Sequence, residues 1–284
     1  MTHVLVTGAS GFVGSALSVV LKARGDTVEP VSLRAGGAPS AVQVAAAGAV
    51  VHLAGEPVDG RWTQAKREAI RASRVDGTRR LVDALVGSPA RPAVLVSASA
   101  IGYYGDRGDE ELDEDSAPGG EFLSEVARAW EAEARRATEH GVRVVCVRFG
   151  IILGRGGGAL ARLLPIARLG AGGPLGSGRQ WWSWVHMDDV CGLLVHALDG
   201  DASGALNATA PAAVRQRDFA RELGGALHRP AFVPAPAFAL RLALGGFSSE
   251  LLTSKRVLPR RSQEAGYRFR HPDLDAALAG LLAR

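Results

Sequence analysis

The chain begins with a short apolar strand, a glycine-rich turn and a helix, an order that few folds accommodate. His3–Thr7 is an uncharged run rich in β-branched residues, which is typical of a strand buried on both faces of a parallel sheet. Gly8, Gly11 and Gly14 follow at intervals of three, and a helical pattern then extends over Ser15–Arg24. Glycines placed between a strand and a helix in this way predict an α/β fold whose first turn binds phosphate.

Each glycine of this turn has its own physical task. Gly8 permits the tight turn, Gly11 lets the backbone approach a pyrophosphate, and Gly14 lets the helix pack closely on the strand. The first amides of the helix have no partner within it and, with the positive end of the helix dipole, favour an anion. We therefore predict dinucleotide contacts from the residues of this turn, namely Gly8, Ser10, Gly11, Phe12, Val13 and Gly14.

The end of the second predicted strand, Thr27–Leu33, bears on which dinucleotide binds. NAD-preferring proteins usually end this strand with Asp or Glu, which hydrogen-bonds the ribose 2′-hydroxyl. This chain has Arg34 just beyond it. A guanidinium grips a 2′-phosphate through charge-assisted hydrogen bonds, whereas a carboxylate repels it. The sequence therefore predicts NADP(H); the alternative is that Arg34 is a solvent-facing loop residue.

Six short segments carry a resemblance to a known family. They read LAGEP (53–57), RW (61–62), GYYG (102–105), GGPLGSGRQ (172–180), SWVH (183–186) and HRP (228–230). Together with the strand patterns around them, they resemble extended or atypical short-chain dehydrogenases/reductases of the NAD-dependent epimerase/dehydratase superfamily. Within that superfamily, the chain is similar to an epimerase-like family sometimes labelled cell-division-inhibitor homologue.

The resemblance implies a Rossmann-type doubly wound parallel α/β sheet with a smaller C-terminal α+β lobe. A glycine-rich passage begins at Gly154 and leaves the sheet pattern. We therefore place the dinucleotide-binding domain at 1–158, with 181–203 returning to it, and the substrate-side lobe at 159–180 and 204–284. The resemblance also implies cofactor contacts from Leu53, Ala54, Gly55, Ser97 and Phe149.

One segment departs from the family pattern. Only 17 residues separate Arg34 from His52, which is short for a crossover helix, a strand and their connections. Residues 39–49 fit a single short helix. We therefore expect the third strand of the usual fold to be missing or vestigial.

The acid/base pair of active short-chain dehydrogenases is absent. These enzymes use Tyr-x-x-x-Lys on a helix, where the Lys lowers the pKa of the Tyr. The three tyrosines, Tyr103, Tyr104 and Tyr267, have Arg, Gly and His four residues further on. The helix predicted after residues 118–120 carries no such pair either, so we do not expect orthodox dehydrogenase chemistry.

Other polar residues remain where the nicotinamide is expected. By resemblance, Ser99 matches a serine that hydrogen-bonds the substrate in epimerases, although it could instead satisfy backbone groups at a strand end. Tyr103 and Tyr104 lie in a glycine-flanked turn, where one could point into a cleft while the other packs. These three are the catalytic candidates. Glu56 could be a general base, but a salt bridge to Arg61 or a helix cap is the preferred interpretation.

Three tryptophans in four residues follow Arg179, at positions 181, 182 and 184. They could line a substrate cleft for an aromatic or acyl group, pack between lobes, or form a protein interface. Epimerases carry an Arg near this region that holds a nucleotide diphosphate. Ser183 and Trp184 occupy that stretch here, so a nucleotide sugar is not the expected substrate.

The composition limits which classes of partner the protein is expected to bind. Charged residues make up 22% of the chain with a net charge of +4 and no block of like charge, so nucleic acid is not expected. No apolar stretch reaches the roughly 20 residues of a membrane span. The seven His show no metal-ligand spacing, and Cys146 and Cys191 lie in apolar runs as buried free thiols. Because the first strand begins at His3, we expect no targeting peptide and a cytoplasmic, metal-free protein.

These observations favour an NADP(H)-dependent oxidoreductase or epimerase-type enzyme that acts on a small molecule without the Tyr-x-x-x-Lys pair. The alternative is a non-catalytic NADP(H)-binding regulator or sensor. Extended members often pair the helices that follow the fourth and fifth strands, here 67–86 and 122–140. We expect a homodimer of this kind, although both helices carry many charges.

Overall fold

Strands and helices alternate along the chain in the computed structural model, which describes residues 1–283. The strands are β1 (His3–Thr7), β2 (Thr27–Val31), β3 (Ala49–His52), β4 (Val94–Ala100), β5 (Glu111–Leu112), β6 (Arg143–Phe149), β7 (Ile151–Leu153), β8 (Trp181–Trp182), β9 (Trp184–His186), β10 (Gly204–Ala208), β11 (Val214–Arg215) and β12 (Arg256–Val257). The α-helices are α1 (Phe12–Ala23), α2 (Ala41–Ala46), α3 (Gln64–Gly87), α4 (Phe122–Arg135), α5 (Gly158–Arg168), α6 (Met187–Asp199), α7 (Gln216–Ala226), α8 (Ala237–Leu244), α9 (Ser248–Leu252), α10 (Arg260–Glu264) and α11 (Leu274–Leu282).

Six strands form one parallel sheet in the order β10-β6-β4-β3-β1-β2. β1 pairs with β2 on one side and with β3 on the other, so the strand order reverses at β1. In doubly wound sheets, ligands bind outside the carboxyl ends of the strands at such a reversal. This sheet confirms the predicted Rossmann-type architecture and places the glycine turn, which follows β1, at the expected ligand edge.

Helices cover both faces of the sheet because successive strand residues point to opposite sides. Val4 and Val6 of β1 pack in a core with side chains of α1 and α6, whereas Leu5 packs with α3 and α4 in a second core. The continuous apolar runs of the strands are therefore explained by burial on two faces. This double burial fixes the carboxyl edge of the sheet as a rigid base for the site.

The sheet lacks the strand that the usual fold adds beyond β2, as the sequence predicts. β2 is the outermost strand, and no strand of residues 1–283 lies beyond it. The segment that would carry that strand forms only α2, which begins with a capping box between Ser40 and Gln43. β2 itself ends at Val31, earlier than predicted, so that Leu33 and Arg34 lie past the strand, and α1 begins at Phe12 rather than Ser15.

The C-terminal part forms a separate apolar core around α5, α7 and α11. Trp182, Trp184, Phe219 and Leu278 are buried there. Short strand pairs join this part to the rest of the chain, since β12 pairs with β5 and β8 pairs with β11. The predicted division of the chain at 158, 181 and 204 stays a prediction.

The two cysteines are buried and free, as predicted. Burial raises the pKa of Cys146 and of Cys191 to about 12, which keeps both thiols protonated. None of the helices within residues 1–283 is both long enough and apolar enough to cross a bilayer.

Candidate functional site

The glycine turn after β1 is a cradle with no room for side chains. Gly8 has a φ of +70°, and a Cβ on it would lie 2.8 Å from the carbonyl carbon of Leu53. A Cβ on Gly14 would overlap the Gly8 carbonyl oxygen. The amide of Gly11 donates to that same oxygen at 2.9 Å, which closes the turn. Both the turn and the close approach of α1 to the strand therefore require glycine.

The space in front of this turn is open. A Cβ on Gly11 would meet only the Gly8 carbonyl oxygen within 4 Å among residues 1–283. Gly11 has an extended backbone and precedes α1, whose first amides have no acceptor inside the helix. Ser10 is exposed, and Val13 is half-buried. A tight cradle, an open front and free amides together fit a pyrophosphate.

A buried hydrogen-bond chain fixes the neighbouring segment after β3. Thr7 Oγ1 accepts from the amides of Leu53 and Ala54, each at 3.2 Å, and lies 2.6 Å from His52 Nδ1. His52 Nε2 lies 2.8 Å from Thr78 Oγ1, which itself donates to a backbone carbonyl. Thr78 must therefore accept from His52, which assigns the ring proton to Nε2.

Burial lowers the pKa of His52 to about 3, with a further contribution from the charge of Arg74, so the ring is neutral. A neutral imidazole with one donor and one acceptor is what this chain of hydrogen bonds requires. These hydrogen bonds hold the backbone of Leu53 and Ala54, two predicted cofactor contacts, beside Gly8. Sequence reasoning missed Thr7 and His52 because neither residue type signals this pairing on its own.

Arg74 is a second residue that sequence reasoning missed. Its guanidinium donates to the Glu56 carbonyl at 2.8 Å and lies 5.2 Å from the ring centroid of Trp130. A Cβ on Gly55 would lie 3.3 Å from its Cζ atom. Burial lowers the pKa of Arg74 to about 10, and it forms no ion pair with residues 1–283. A positive charge that the Glu56 carboxylate partly offsets thus lies behind the segment predicted to contact the cofactor.

Arg34 lies at the outer edge of the sheet, as the 2′-phosphate hypothesis requires. It is exposed, begins a 3₁₀ turn and forms no ion pair within residues 1–283. Arg80 of α3 donates to the carbonyl of Leu33 at 3.2 Å, and its Nε is buried without a partner in the described part of the chain. Two basic side chains therefore approach the end of β2, where a 2′-phosphate would be held.

Ser99 lies inside a buried network rather than on an open surface. Its hydroxyl donates to Glu131 Oε1 at 2.7 Å, and Ser99 is only 2% exposed. Glu131 also binds Arg148 through two contacts of 2.7 and 2.9 Å and Arg135 through one of 2.6 Å. Charge-assisted, bidentate hydrogen bonds of this kind are strong, so the network holds β4, β6 and α4 together.

The two candidate tyrosines have different surroundings. Tyr104 is fully buried; its hydroxyl donates to Asn207 at 2.7 Å and accepts from Arg148 at 2.8 Å, and burial raises its pKa. Tyr103 is half-buried, its ring faces the Arg148 guanidinium at 3.5 Å, and its hydroxyl has no partner among residues 1–283. Of the two, Tyr104 is the one that packs, and Tyr103 keeps a free hydroxyl.

Glu56 forms the salt bridge that the sequence predicts, but with a different partner. Its Oε1 lies 2.7 Å from Lys66 Nζ on α3, not beside Arg61. Its backbone amide donates to Ser73 Oγ at 2.9 Å. Glu56 therefore tethers the loop after β3 to α3.

The remaining predicted cofactor contacts differ in exposure. Ser97 is 1% exposed and donates to the carbonyl of Ala98, so its side chain lies within the structure. Phe149 is half-buried at the end of β6. The Phe12 ring lies against the backbone of Gly154 and Gly157, which closes the far side of the turn.

A cleft of about 580 Å³ opens near the carboxyl end of β4. Trp62, Phe122 and Leu123 line one wall, and residues 241–253 of the C-terminal part line the other. Leu123 also contacts Gly102, which follows β4. The cleft is of the size that holds a small organic molecule.

The tryptophans at 181, 182 and 184 do not line this cleft. Trp182 and Trp184 are buried in the C-terminal core, and Trp182 packs on Phe219 with ring centroids 5.2 Å apart. Trp181 is half-buried between Arg215 and Arg256. Of the alternatives that the sequence left open, these two buried rings serve packing. The aromatic side chains of the cleft are Trp62 and Phe122, which sequence reasoning did not select.

Folding brings two histidines together beside Asp188. His186 and His271 stack with ring centroids 3.7 Å apart and planes at 31°, and His271 Nε2 lies 3.1 Å from Asp188 Oδ2. The ligand atoms of His186, Asp188 and His271 lie within 4.8 Å of one another, a group that could hold a metal ion and that the spacing of the histidines does not predict.

Comparison with protein families gives two matches along the chain. Residues 4–208 match the NAD dependent epimerase/dehydratase family, and residues 235–281 match a domain of unknown function, DUF1731. The chloroplastic homologue of epimerase family protein SDR39U1 from Arabidopsis thaliana is 39% identical over 300 residues, covering 98% of this chain and 86% of the relative.

Solved structures agree with these matches. The crystal structure of human epimerase family protein SDR39U1 (isoform 2), determined with NADPH, superposes with a TM-score of 0.91 at 36% identity and covers 99% of both chains. A nucleoside-diphosphate sugar epimerase from Corynebacterium glutamicum superposes with a TM-score of 0.79 at 34% identity, over 99% of this chain and 58% of that one.

Proposed function

The chain belongs to the NAD dependent epimerase/dehydratase family, and from that premise we propose that it is an NADP(H)-dependent oxidoreductase or epimerase-type enzyme. Its substrate is a small molecule bound in the cleft beside β4, and its mechanism does without a Tyr-x-x-x-Lys pair. We also propose a cytoplasmic location, with which the two free cysteines agree.

The residues present fit NADP(H). The Gly8–Gly14 cradle and the first amides of α1 would hold the pyrophosphate, and Arg34 with Arg80 would hold the 2′-phosphate. The human relative crystallised with NADPH, of nearly equal length, supports this choice. When bound, NADPH supplies a hydride.

The position of the cleft is the observation that carries the enzymatic proposal. It lies at the carboxyl edge of β4, on the ligand side of the sheet, and is closed by a second part of the chain. A protein that only stored or sensed the dinucleotide would not need a second cavity of this size next to it. The cleft therefore supports a reacting partner for the nicotinamide.

Tyr103 is the group that we propose to donate the proton. Its hydroxyl is free of protein partners in the described chain, its ring lies 3.5 Å from the Arg148 guanidinium, and Gly102 just before it contacts Leu123 of the cleft wall. Ser99 and Tyr104 would act through this network, since Glu131 and Arg148 engage their hydroxyls. They are then positioning residues that hold Arg148 in place.

The test begins with calorimetry of NADPH binding. Carbonyl compounds are then screened as substrates, and the oxidation of NADPH is followed by the loss of its absorbance. With a substrate in hand, Tyr103→Phe should lose about 10²–10⁴-fold in turnover while NADPH affinity stays unchanged. Tyr104→Phe should lower the thermal midpoint and cost less turnover than Tyr103→Phe, because it leaves Asn207 Oδ1 without its buried donor and removes one contact of Arg148. Full turnover in Tyr103→Phe would place the acid elsewhere, and absence of NADPH binding would remove the proposal altogether.

A non-catalytic NADP(H) sensor is the second candidate. The observation that favours it is the commitment of Ser99 and Tyr104 to buried hydrogen bonds, which leaves few free acids near β4. Tight NADPH binding with no oxidation of NADPH by any class of carbonyl compound would favour the sensor over the enzyme.

A further inference from the structure

Two arginines without a carboxylate partner among residues 1–283 line the cleft. Arg67 comes from α3 and Arg241 from the last turn of α8, and both line the cavity. Neither forms an ion pair with any of residues 1–283, whereas Arg79 of the same helix as Arg67 pairs with Glu133. Both are exposed. Free guanidinium groups on two walls of one cavity are suited to grip an anion from both sides.

Each acidic residue of the cleft is bound to a group of the cavity wall other than Arg67 and Arg241. Asp106 Oδ1 accepts from the amide of Ser254 at 2.9 Å. Glu121 Oε1 accepts from the amide of Asp106 at 3.0 Å. Glu250 lies 3.2 Å from the ammonium of Lys255, which is 5% exposed. The carboxylates thus bind groups of the cavity walls. Arg67 and Arg241 have no such partner among residues 1–283 and are available to a ligand.

The cavity also has an aromatic wall next to Arg67. The rings of Trp62 and Phe122 meet edge to face with centroids 5.5 Å apart, and the Arg67 guanidinium lies 5.8 and 5.2 Å from them. On the opposite side, a Cβ on Gly246 would lie 2.8 Å from the Trp62 ring, so only glycine fits there. An aromatic wall of this kind binds planar groups by stacking and apolar burial.

We propose that this cleft binds a flat organic molecule that carries a carboxylate or phosphate head group. The head group would lie between Arg67 and Arg241, and the planar body against Trp62 and Phe122. This inference rests on the proposed function in one respect, that the cleft is the substrate site. It adds the chemical class of the substrate.

The experiment titrates the NADPH-saturated protein with 2-naphthoate, 2-naphthyl phosphate and the uncharged 2-naphthamide by calorimetry. We expect saturable binding of at least one anion and at least tenfold weaker binding of the amide, equivalent to about 1.4 kcal/mol. The two anions compared with each other identify the preferred head group. Arg67→Gln and Arg241→Gln should each weaken anion binding about tenfold and leave amide binding unchanged.

Arg168→Gln is the matched control, since Arg168 is exposed on α5 and does not line the cleft. It should leave all three affinities unchanged. Because all three arginines are exposed, thermal unfolding should be the same in every variant. Equal binding of the amide and the anions, absence of binding by both anions, or wild-type affinity in both cleft variants would each overturn the proposal.

Titration of NADPH alone keeps the two proposals apart. If NADPH binds and neither naphthyl anion does, the substrate class is wrong while the proposed function stands. If the anion binds with the expected variant pattern and NADPH does not bind at all, the anion site stands and the proposed function fails.

Discussion

At the scale of single residues, we expect Arg34 to set which dinucleotide is preferred and His52 to set how stability responds to pH. At the end of β2, Arg34 stands where NAD-binding proteins carry an acid, and Arg80 supports it from α3. Beneath the site, His52 is buried in a chain of hydrogen bonds that admits only its neutral form. Both residues lead to measurable expectations.

The first prediction concerns Arg34. The wild-type protein should bind NADPH at least tenfold tighter than NADH, which corresponds to about 1.4 kcal/mol. Arg34→Ala should remove most of that difference by weakening NADPH binding while NADH affinity is kept, because the lost contact is to the 2′-phosphate alone. Calorimetry with both dinucleotides measures this, and Arg168→Ala is the exposed control. Equal affinities in the wild type contradict the assignment.

The second prediction concerns His52 and acid stability. The pKa of His52 is about 3 in the folded chain, against about 6.5 when unfolded. Below the unfolded value, the unfolded chain binds a proton that the native chain does not. The free energy of unfolding therefore falls as pH drops, and this residue alone should remove about 2 kcal/mol by about pH 5.

Urea unfolding at about pH 7.5 and about pH 5 measures this loss. His52→Gln keeps one donor and one acceptor and should show a pH loss smaller by that amount. His140→Gln, at an exposed histidine, should behave as wild type. An unchanged pH loss in His52→Gln would mean that the ring is charged or accessible in the native state.

Among the elements, α3 and α4 use charged side chains to pair with each other within the chain. Several of those charges join the two helices to each other, as Arg79 does with Glu133 at 2.6 Å and Asp83 with Arg136, just after α4, at 2.8 Å. The large apolar side chains exposed within residues 1–283 all lie outside these two helices. Their outer face is therefore polar.

A homodimer through α3 and α4 stays a prediction, and this polar face determines how it should behave. With no broad apolar seam, only charge and hydrogen bonds would hold the copies together, so high salt should dissociate them. Light scattering should approach twice 29.6 kDa in low salt at high protein concentration and return to 29.6 kDa at about 0.5 M salt. A mass of 29.6 kDa under all of these conditions would contradict the dimer.

In the whole molecule, the cleft exists because the C-terminal part is fastened to the loops that follow β4. Asp106 accepts from the amide of Ser254 at 2.9 Å, and the amide of Arg107 donates to the Ser254 carbonyl at 3.0 Å. β12 pairs with β5 directly after these contacts. Glu114 accepts from the amides of Asn207 and Arg261, which ties the same loop to β10 and α10. Both walls of the cleft are thus held by strand pairing and by hydrogen bonds that backbone amides donate to Asp106, Glu114 and the Ser254 carbonyl.

Much of this architecture could be predicted from local sequence. The order of β1, the glycine turn and α1 follows from apolar patterning and from positions that admit no Cβ. The missing strand beyond β2 follows from chain length alone, since 17 residues cannot supply it. The absence of a Tyr-x-x-x-Lys pair is likewise a matter of spacing. These features depend on neighbours within a few residues, where backbone preference and periodicity act.

The tertiary structure alone decided how the polar groups are used. Ser99, Glu131 and Arg148 lie far apart in the chain and meet only because β4, β6 and α4 pack side by side. Whether a hydroxyl is free, as in Tyr103, or bound, as in Tyr104, depends on which partners reach it across the fold. Arg67 and Arg241 likewise share a cavity only once the second part of the chain closes over β4. Burial and long-range hydrogen bonds are properties of packed elements, and no local pattern encodes them.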